Sequence, residues 1–309
     1  MQRYPAKLLL FGEHVLLLGA SALAVPVPGF ALEPVMGRPR LEHSDLHRKL
    51  LRFAESPELG SVKSIDRKSL LTDLENGLFF RSDIPSGYGL GSSGALCASI
   101  YDLYSKEKTG DLGELKAVFA VMESFFHGSS SGIDPLTSYL AQPLLIRNKT
   151  EVSVAEIKPR ESEPVIFLLD TGLPRQTGPL VQWFLEQSKR PAFLTDLNEQ
   201  LLPAHESMVR AWLDASDAHF WAALDRVSAF QFSHFDPMIP DIMRPLWKKS
   251  LEIPDFSLKI CGAGGGGFML GFAGNRETAL AETAGFPIIF PFSRNEAGST
   301  AGHDQHNRI

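Results

Sequence analysis

The chain has 309 residues, 44% of them hydrophobic and 21% charged, with a formal net charge of −6. That length and composition suit a soluble globular protein of two ordinary domains, each with its own core. The acidic balance, with no basic stripe to offset it, argues against a nucleic-acid partner. No charge-free apolar run reaches the about 18 residues of a membrane span, so no membrane association is expected.

In chain order, residues 6–11 and 22–27 are short apolar runs that predict strands. Arg3, Lys7 and the following leucines resemble the start of a signal peptide, but Glu13 and His14 interrupt the apolar stretch. Cys97 and Cys261 have no paired spacing and read as reduced thiols, so a cytoplasmic location is expected. Residues 45–55 and 111–126 show helical spacing, 143–157 alternates as strands, and 164–170 is a compact buried-strand run. Helical stretches follow at 179–189, 194–213, 217–230 and 241–250, then strand-like runs at 257–261 and 268–272. The proline-flanked, charged stretch 159–164 marks the expected boundary between a first domain, 1–158, and a second, 159–309. The polar end, 295–309, reads as a mobile tail.

Four constellations carry chemistry. The first is Pro85-Ser-Gly87-Tyr-Gly89-Leu90-Gly91-Ser92-Ser93-Gly94-Ala95. Its alternating glycines free the backbone so that successive N–H groups turn inward around an anion, and the apolar helix predicted over 95–104 adds its dipole. No lysine follows in the Walker position, and Gly89, Gly91 and Gly94 alone satisfy only the weak dinucleotide pattern. A structural Gly/Ser turn fits the run taken by itself. The second is Lys7, flanked by leucines, followed by Gly12-Glu13-His14; a buried cation is retained where it is paired, whereas an edge lysine snorkels to water.

The third runs from Glu123 through His127 to Ser131, Gly132 and Asp134. Glu123 and His127 share one helix face, and a serine-rich loop then delivers Asp134. Phosphoryl transfer needs a divalent cation, a carboxylate near the attacking hydroxyl and positive charge over the transferring group. Glu123 with a loop serine suits Mg²⁺, and Asp134 suits the alcohol. A helix C-cap followed by a solvated loop is the plainer alternative. The fourth is Lys259-Ile-Cys-Gly262-Ala-Gly264-Gly-Gly-Gly267, where glycines between two strand-like runs suggest close backbone approach, or else a flexible hairpin tip. Asp170-Thr-Gly-Leu-Pro174-Arg175-Gln-Thr177 adds a planar guanidinium suited to a carboxylate or phosphate, or an exposed loop arginine.

Taken in order, these motifs resemble the GHMP kinase superfamily from Lys7 to Gly267. Pro85–Ala95 matches its Pro-x-x-x-Gly-Leu-Gly-Ser-Ser-x-Ala motif and Gly262–Gly266 its Gly-Ala-Gly-Gly-Gly motif. Gly12-Glu13-His14, His127-Gly-x-x-Ser131-Gly-Ile-Asp134, Pro174-Arg175-x-Thr177 and the run from Lys259 are most similar to the mevalonate kinase branch. The resemblance implies an α+β fold of two domains: an N-terminal ATP-binding domain with a left-handed βαβ unit, and a ferredoxin-like C-terminal domain. It implies Asp134 as catalytic base or orienting carboxylate, with Lys7 beside it lowering the pKa of the substrate hydroxyl. It implies Ser93 and Glu123 as Mg²⁺ ligands. It implies Pro85, Gly87, Gly89, Leu90, Gly91, Ser92, Ser93 and Gly94 around the ATP phosphates. It implies Glu13, His14, Ser131, Arg175, Thr177 and Gly264 near a small alcohol substrate. The expected activity is ATP- and Mg²⁺-dependent phosphorylation of mevalonate by a monomer or homodimer. Another GHMP small-molecule kinase, or a catalytically silent nucleotide- or metabolite-binding regulator, is the alternative. Pro135 stands where the family has asparagine, Ser130 where it has proline, and Cys261 where it has Thr or Ser.

Overall fold

The structure, a computed structural model, describes residues 2–37, 44–85, 87–160, 163–174 and 177–292. The expected tail at 295–309 lies outside the described residues.

The first apolar run becomes β1 (Tyr4–Phe11), buried along nearly its whole length. It pairs antiparallel with β2 (Ala22–Met36), from Phe11 opposite Leu23 to Tyr4 opposite Leu32, with irregularities of register at Pro5/Ala6 and Leu9/Phe11. β2 is much longer than the predicted 22–27, because its later half is held by β3 (Leu78–Ser82). Local pattern stops at Pro26 and Pro28, whereas pairing with a distant strand does not. Three helices intervene before β3: α1 (Ser44–Glu55), α2 (Pro57–Ser61) and α3 (Arg67–Glu75).

After β3 come α4 (Ser92–Tyr104), α5 (Leu112–His127) and α6 (Ile133–Leu140), then the hairpin β4 (Leu144–Arg147) and β5 (Glu151–Val154). β4 pairs with the start of β2, completing a five-stranded sheet with β2 at its centre. Every residue of α4 from Gly94 to Tyr101 is buried, as its largely apolar sequence favours. It lies against β1 and β2, with α5 and α6 packed beside it and α6 also touching the sheet. Asp111 caps α5, accepting the Glu114 N–H at 2.8 Å.

A second sheet begins with β6 (Val165–Asp170). Next come α7 (Thr177–Gln187), α8 (Pro191–Asp196), a π turn over Leu197–Leu201, α9 (Leu202–Leu213), α10 (Asp217–His234) and α11 (Arg244–Ser250). The chain returns through β7 (Phe256–Ile260), β8 (Phe268–Ala273), α12 (Arg276–Glu282) and β9 (Ile288–Ile289). The strand order β7-β8-β6-β9, all antiparallel and with helices between the outer pairs, is the β-α-β-β-α-β ferredoxin-like arrangement. The two sheets share one core. Phe11, at the end of β1, stacks on Phe272 of β8 at 6.0 Å and meets Trp212 edge-on at 5.5 Å. The result is the expected mixed architecture of two sheets.

One local expectation changes. The segment after Gly128 is not loop as far as Asp134, because helix begins at Ile133 and Asp134 sits in its first turn. An eight-residue helix behind a serine run is too short to show a period, and packing against α4 and α5 stabilises it instead.

Candidate active site

Pro85, Gly87, Gly89, Leu90, Gly91, Ser92 and Ser93 line one wall of a cleft of about 320 Å³. Gly87, Gly89 and Gly91 have φ of 80°, 79° and 70°, a conformation that side chains resist and that this turn requires. The Lys7 N–H of β1 donates to Leu90 O at 2.9 Å, so the loop is anchored to the sheet. Gly91 is the N-cap of α4, and Ser92 and Ser93 form its first turn. The unpaired amides of that turn and the helix dipole face the cleft, an arrangement that attracts phosphate.

Lys7 and Asp134 face this wall. The Lys7 ammonium meets the Asp134 carboxylate at 2.5 Å, with side-chain exposures of 10% and 29%. Burying the cation is tolerated because its partner is there. Gly94 is buried and does not line the cleft; it allows α4 to touch the start of α6. A Cβ at Gly94 would lie 2.7 Å from the Asp134 carbonyl carbon and 2.8 Å from the Pro135 nitrogen.

One turn deeper, Ser93 Oγ donates to Glu123 Oε1 at 2.9 Å and Ser130 Oγ donates to Glu123 Oε2 at 2.5 Å. Ser93 has one proton and gives it to Glu123, so His127 Nε2–H donates to Ser93 Oγ, at 2.9 Å. Burial, reinforced by the Asp134 charge, pushes the Glu123 carboxyl up to about 7. Two carboxylates share this corner with one lysine, and the excess negative charge suits a hard divalent cation. Among the described residues there is no cluster of three or more metal-ligating side chains. Mg²⁺ is compatible with that, since it keeps several waters and takes few protein ligands.

The opposite wall comes from the last glycine run, through Cys261 and Gly262. The glycines here are pinned, not a flexible tip: Gly265 N–H donates to Met238 O and Gly267 N–H to Leu173 O. Gly264 is buried against Met238 in a crevice beside the main cleft. His14 Nε2–H donates to Ala263 O at 3.1 Å, joining the first motif to the last. Glu13 is 4% exposed and lies off the cleft wall, with Lys259 Nζ on Glu13 Oε1 at 2.5 Å. Burial pushes the Glu13 carboxyl above its ordinary value, against the pull of Lys259.

Ser131 is exposed, and its Oγ accepts the Ile133 N–H at 3.4 Å, at the start of α6. Arg175 and the side chain of Thr177 lie outside the described residues. Sequence reasoning assigned no role to Lys259, His127 or Ser130, all of which the structure draws into the network. The signal for Lys259 was the same as for Lys7, a lysine among apolar neighbours in a strand next to a glycine motif. For His127 it was the shared helix face with Glu123.

The fold and cleft suit a small-molecule kinase, and the comparisons with known proteins point the same way, to the GHMP kinases. Residues 59–142 match the GHMP kinases N terminal domain model. The curated relatives are more particular: the mevalonate kinase of Archaeoglobus fulgidus is 26% identical over 86% of this chain and 90% of its own. That of Pyrococcus furiosus is likewise 26% identical, over 94% of this chain and 95% of its own. Among solved structures, L. major mevalonate kinase in complex with R-mevalonate superposes with a TM-score of 0.65 at 17% identity, covering 91% of this chain and 89% of that one. Streptococcus pneumoniae phosphomevalonate kinase gives 0.65 at 16% identity, over 94% and 97%. These two show the shared fold. The family implies ATP as a substrate. No helix among the described residues is long and apolar enough to cross a membrane.

Proposed function

We propose that the protein transfers the γ-phosphoryl group of ATP to the primary hydroxyl of (R)-mevalonate, giving 5-phosphomevalonate and ADP. The observation that carries this reading is the Lys7–Asp134 pair at 2.5 Å, packed beside Gly91 at the α4 N-terminus and lining the same cleft as the glycine loop. The loop amides from Gly87 to Ser92 bind the phosphates and align them. Asp134 orients the acceptor hydroxyl and takes its proton as that oxygen bonds to the γ-phosphorus and the bond to ADP breaks. Lys7 fixes the carboxylate and sets positive charge beside the transferring group.

Glu123 and Ser93 would hold Mg²⁺, which neutralises phosphate charge when bound. His127 and Ser130 orient those two ligands through their hydrogen bonds. On the acceptor side we assign Arg175 to the carboxylate of mevalonate, with Thr177, His14, Ser131 and Gly264 around it. Glu13 acts there through Lys259, with which it holds the turn carrying His14. The division into a nucleotide-binding domain, 1–158, and a second domain, 159–309, belongs to the same reading.

The test is ADP release with Mg-ATP over (R)-mevalonate, phosphomevalonate, galactose and homoserine, with Asp134→Asn as control. Turnover confined to mevalonate is expected. Turnover on another of these alcohols alone would move the substrate assignment, and a fully active Asp134→Asn would overturn the mechanism.

A further inference from the structure

Tyr88 lies in the middle of the phosphate loop and is absent from the cleft wall. Its hydroxyl leaves the loop and reaches the second sheet, donating to Asp170 at 3.2 Å to Oδ1 and 3.3 Å to Oδ2. Its ring packs on Phe268 of β8, with centroids 4.5 Å apart. Asp170 and Phe268 are cross-strand partners, so one side chain grips both ends of a rung of the second sheet.

That rung is the root of the loop leading to Pro174. The same Asp170 Oδ1 accepts the Gly172 N–H at 2.8 Å. Thr171 donates to Gly267 O through both its N–H, at 3.0 Å, and its Oγ1, at 2.7 Å. Leu173 O accepts the Gly267 N–H at 2.8 Å. The phosphate loop, the last glycine run and the 170–174 loop therefore meet around a single phenol.

We propose that Tyr88 is a positioning residue that couples the phosphate loop to the 170–174 loop, so that nucleotide bound at the first orders the second for the acceptor. The proposal rests on the kinase reading above. Phosphates ordering residues 87–94 fix the Tyr88 ring, and the fixed ring holds Asp170 and the turn it caps. A ligand that orders a segment shared with a second site lowers the ordering cost of the second ligand. By reciprocity, the acceptor tightens nucleotide binding by the same factor.

The test compares wild type with Tyr88→Phe, which keeps the ring packing and removes only the hydrogen bond. Amide hydrogen exchange is measured with and without a non-hydrolysable ATP analogue and Mg²⁺, and needs no acceptor. In wild type, nucleotide slows exchange in residues 87–94 and about fivefold or more in residues 171–173. In Tyr88→Phe the first effect stays, and the second falls to within about twofold of the nucleotide-free protein. In steady state the variant raises the acceptor KM about three- to tenfold with kcat within about twofold.

Equal slowing at 171–173 in both proteins overturns the coupling, as does wild type protected only at 87–94. Mevalonate turnover without transmitted protection removes the coupling and leaves the substrate assignment. Transmitted protection without mevalonate turnover does the reverse. Absence of transmitted protection together with absence of mevalonate turnover overturns both.

Discussion

Replacing Lys259 with methionine isolates a buried charge, and the structure sets the size of the effect. Lys259 Nζ donates to Glu13 Oε1 at 2.5 Å, Ile260 O at 3.0 Å and Leu10 O at 3.2 Å. The side chains of Lys259 and Glu13 are 1% and 2% exposed, so water does not replace the lost ammonium. Removing one partner of such a pair costs about 3–5 kcal/mol, because the other charge stays buried and uncompensated. For a chain of this length about 2 °C accompanies each kcal/mol, so the thermal midpoint falls by about 6–10 °C at pH 8.

The pH dependence has a definite sign. Glu13 already titrates above its ordinary value through burial, and Lys259 supplies the main opposing pull. Without Lys259 the folded protein binds the Glu13 proton still more tightly. A carboxyl whose folded pKa is raised favours the fold below its unfolded pKa and loses that advantage as pH rises towards the folded one. The deficit of Lys259→Met against wild type is therefore smaller at pH 5.5 than at pH 8. The double variant Glu13→Leu/Lys259→Met removes the stranded charge and recovers at least half of the loss. Circular dichroism melts of the three proteins at both pH values decide the matter. A Lys259→Met midpoint within about 1 °C of wild type at pH 8, a larger deficit at pH 5.5, or no recovery in the double variant would refute the reasoning.

Asp134→Asn lowers kcat about 10²–10⁴-fold, while ATP affinity by calorimetry stays within about threefold. Glu123→Gln removes a hard anionic oxygen and raises the free Mg²⁺ needed for half-maximal rate about tenfold or more, read from a Mg²⁺ titration at fixed ATP. Gly94→Ala forces α4 away from α6, costing about 1–3 kcal/mol in a thermal melt. Because the displaced backbone carries Asp134, kcat in the same preparation falls at least about tenfold.

Much of the fold was legible locally. The helix from Leu112 to His127 follows from its apolar period, and β6 from a compact apolar run that starts at a proline. The short helix carrying Asp134 and the far half of β2 were not legible. One is too brief to show a period, and the other is held by β3 across three intervening helices. The glycine loop, Lys7, Glu123 and Asp134 were visible as chemistry, because phosphoryl transfer to a hydroxyl calls for those residue types.

By itself, the sequence determined which groups are available: a phosphate cradle, a lysine and a carboxylate for the acceptor, and a second carboxylate for a metal. Only the tertiary structure decided who pairs with whom. It gave Lys7 to Asp134, gave Lys259 to Glu13, turned Gly94 into a contact between two helices, and brought Tyr88 onto Asp170. Spacing along a chain encodes helix faces and strand alternation, which depend on near neighbours. Pairings between remote segments depend on how the two sheets pack, and that is a property of the whole folded chain.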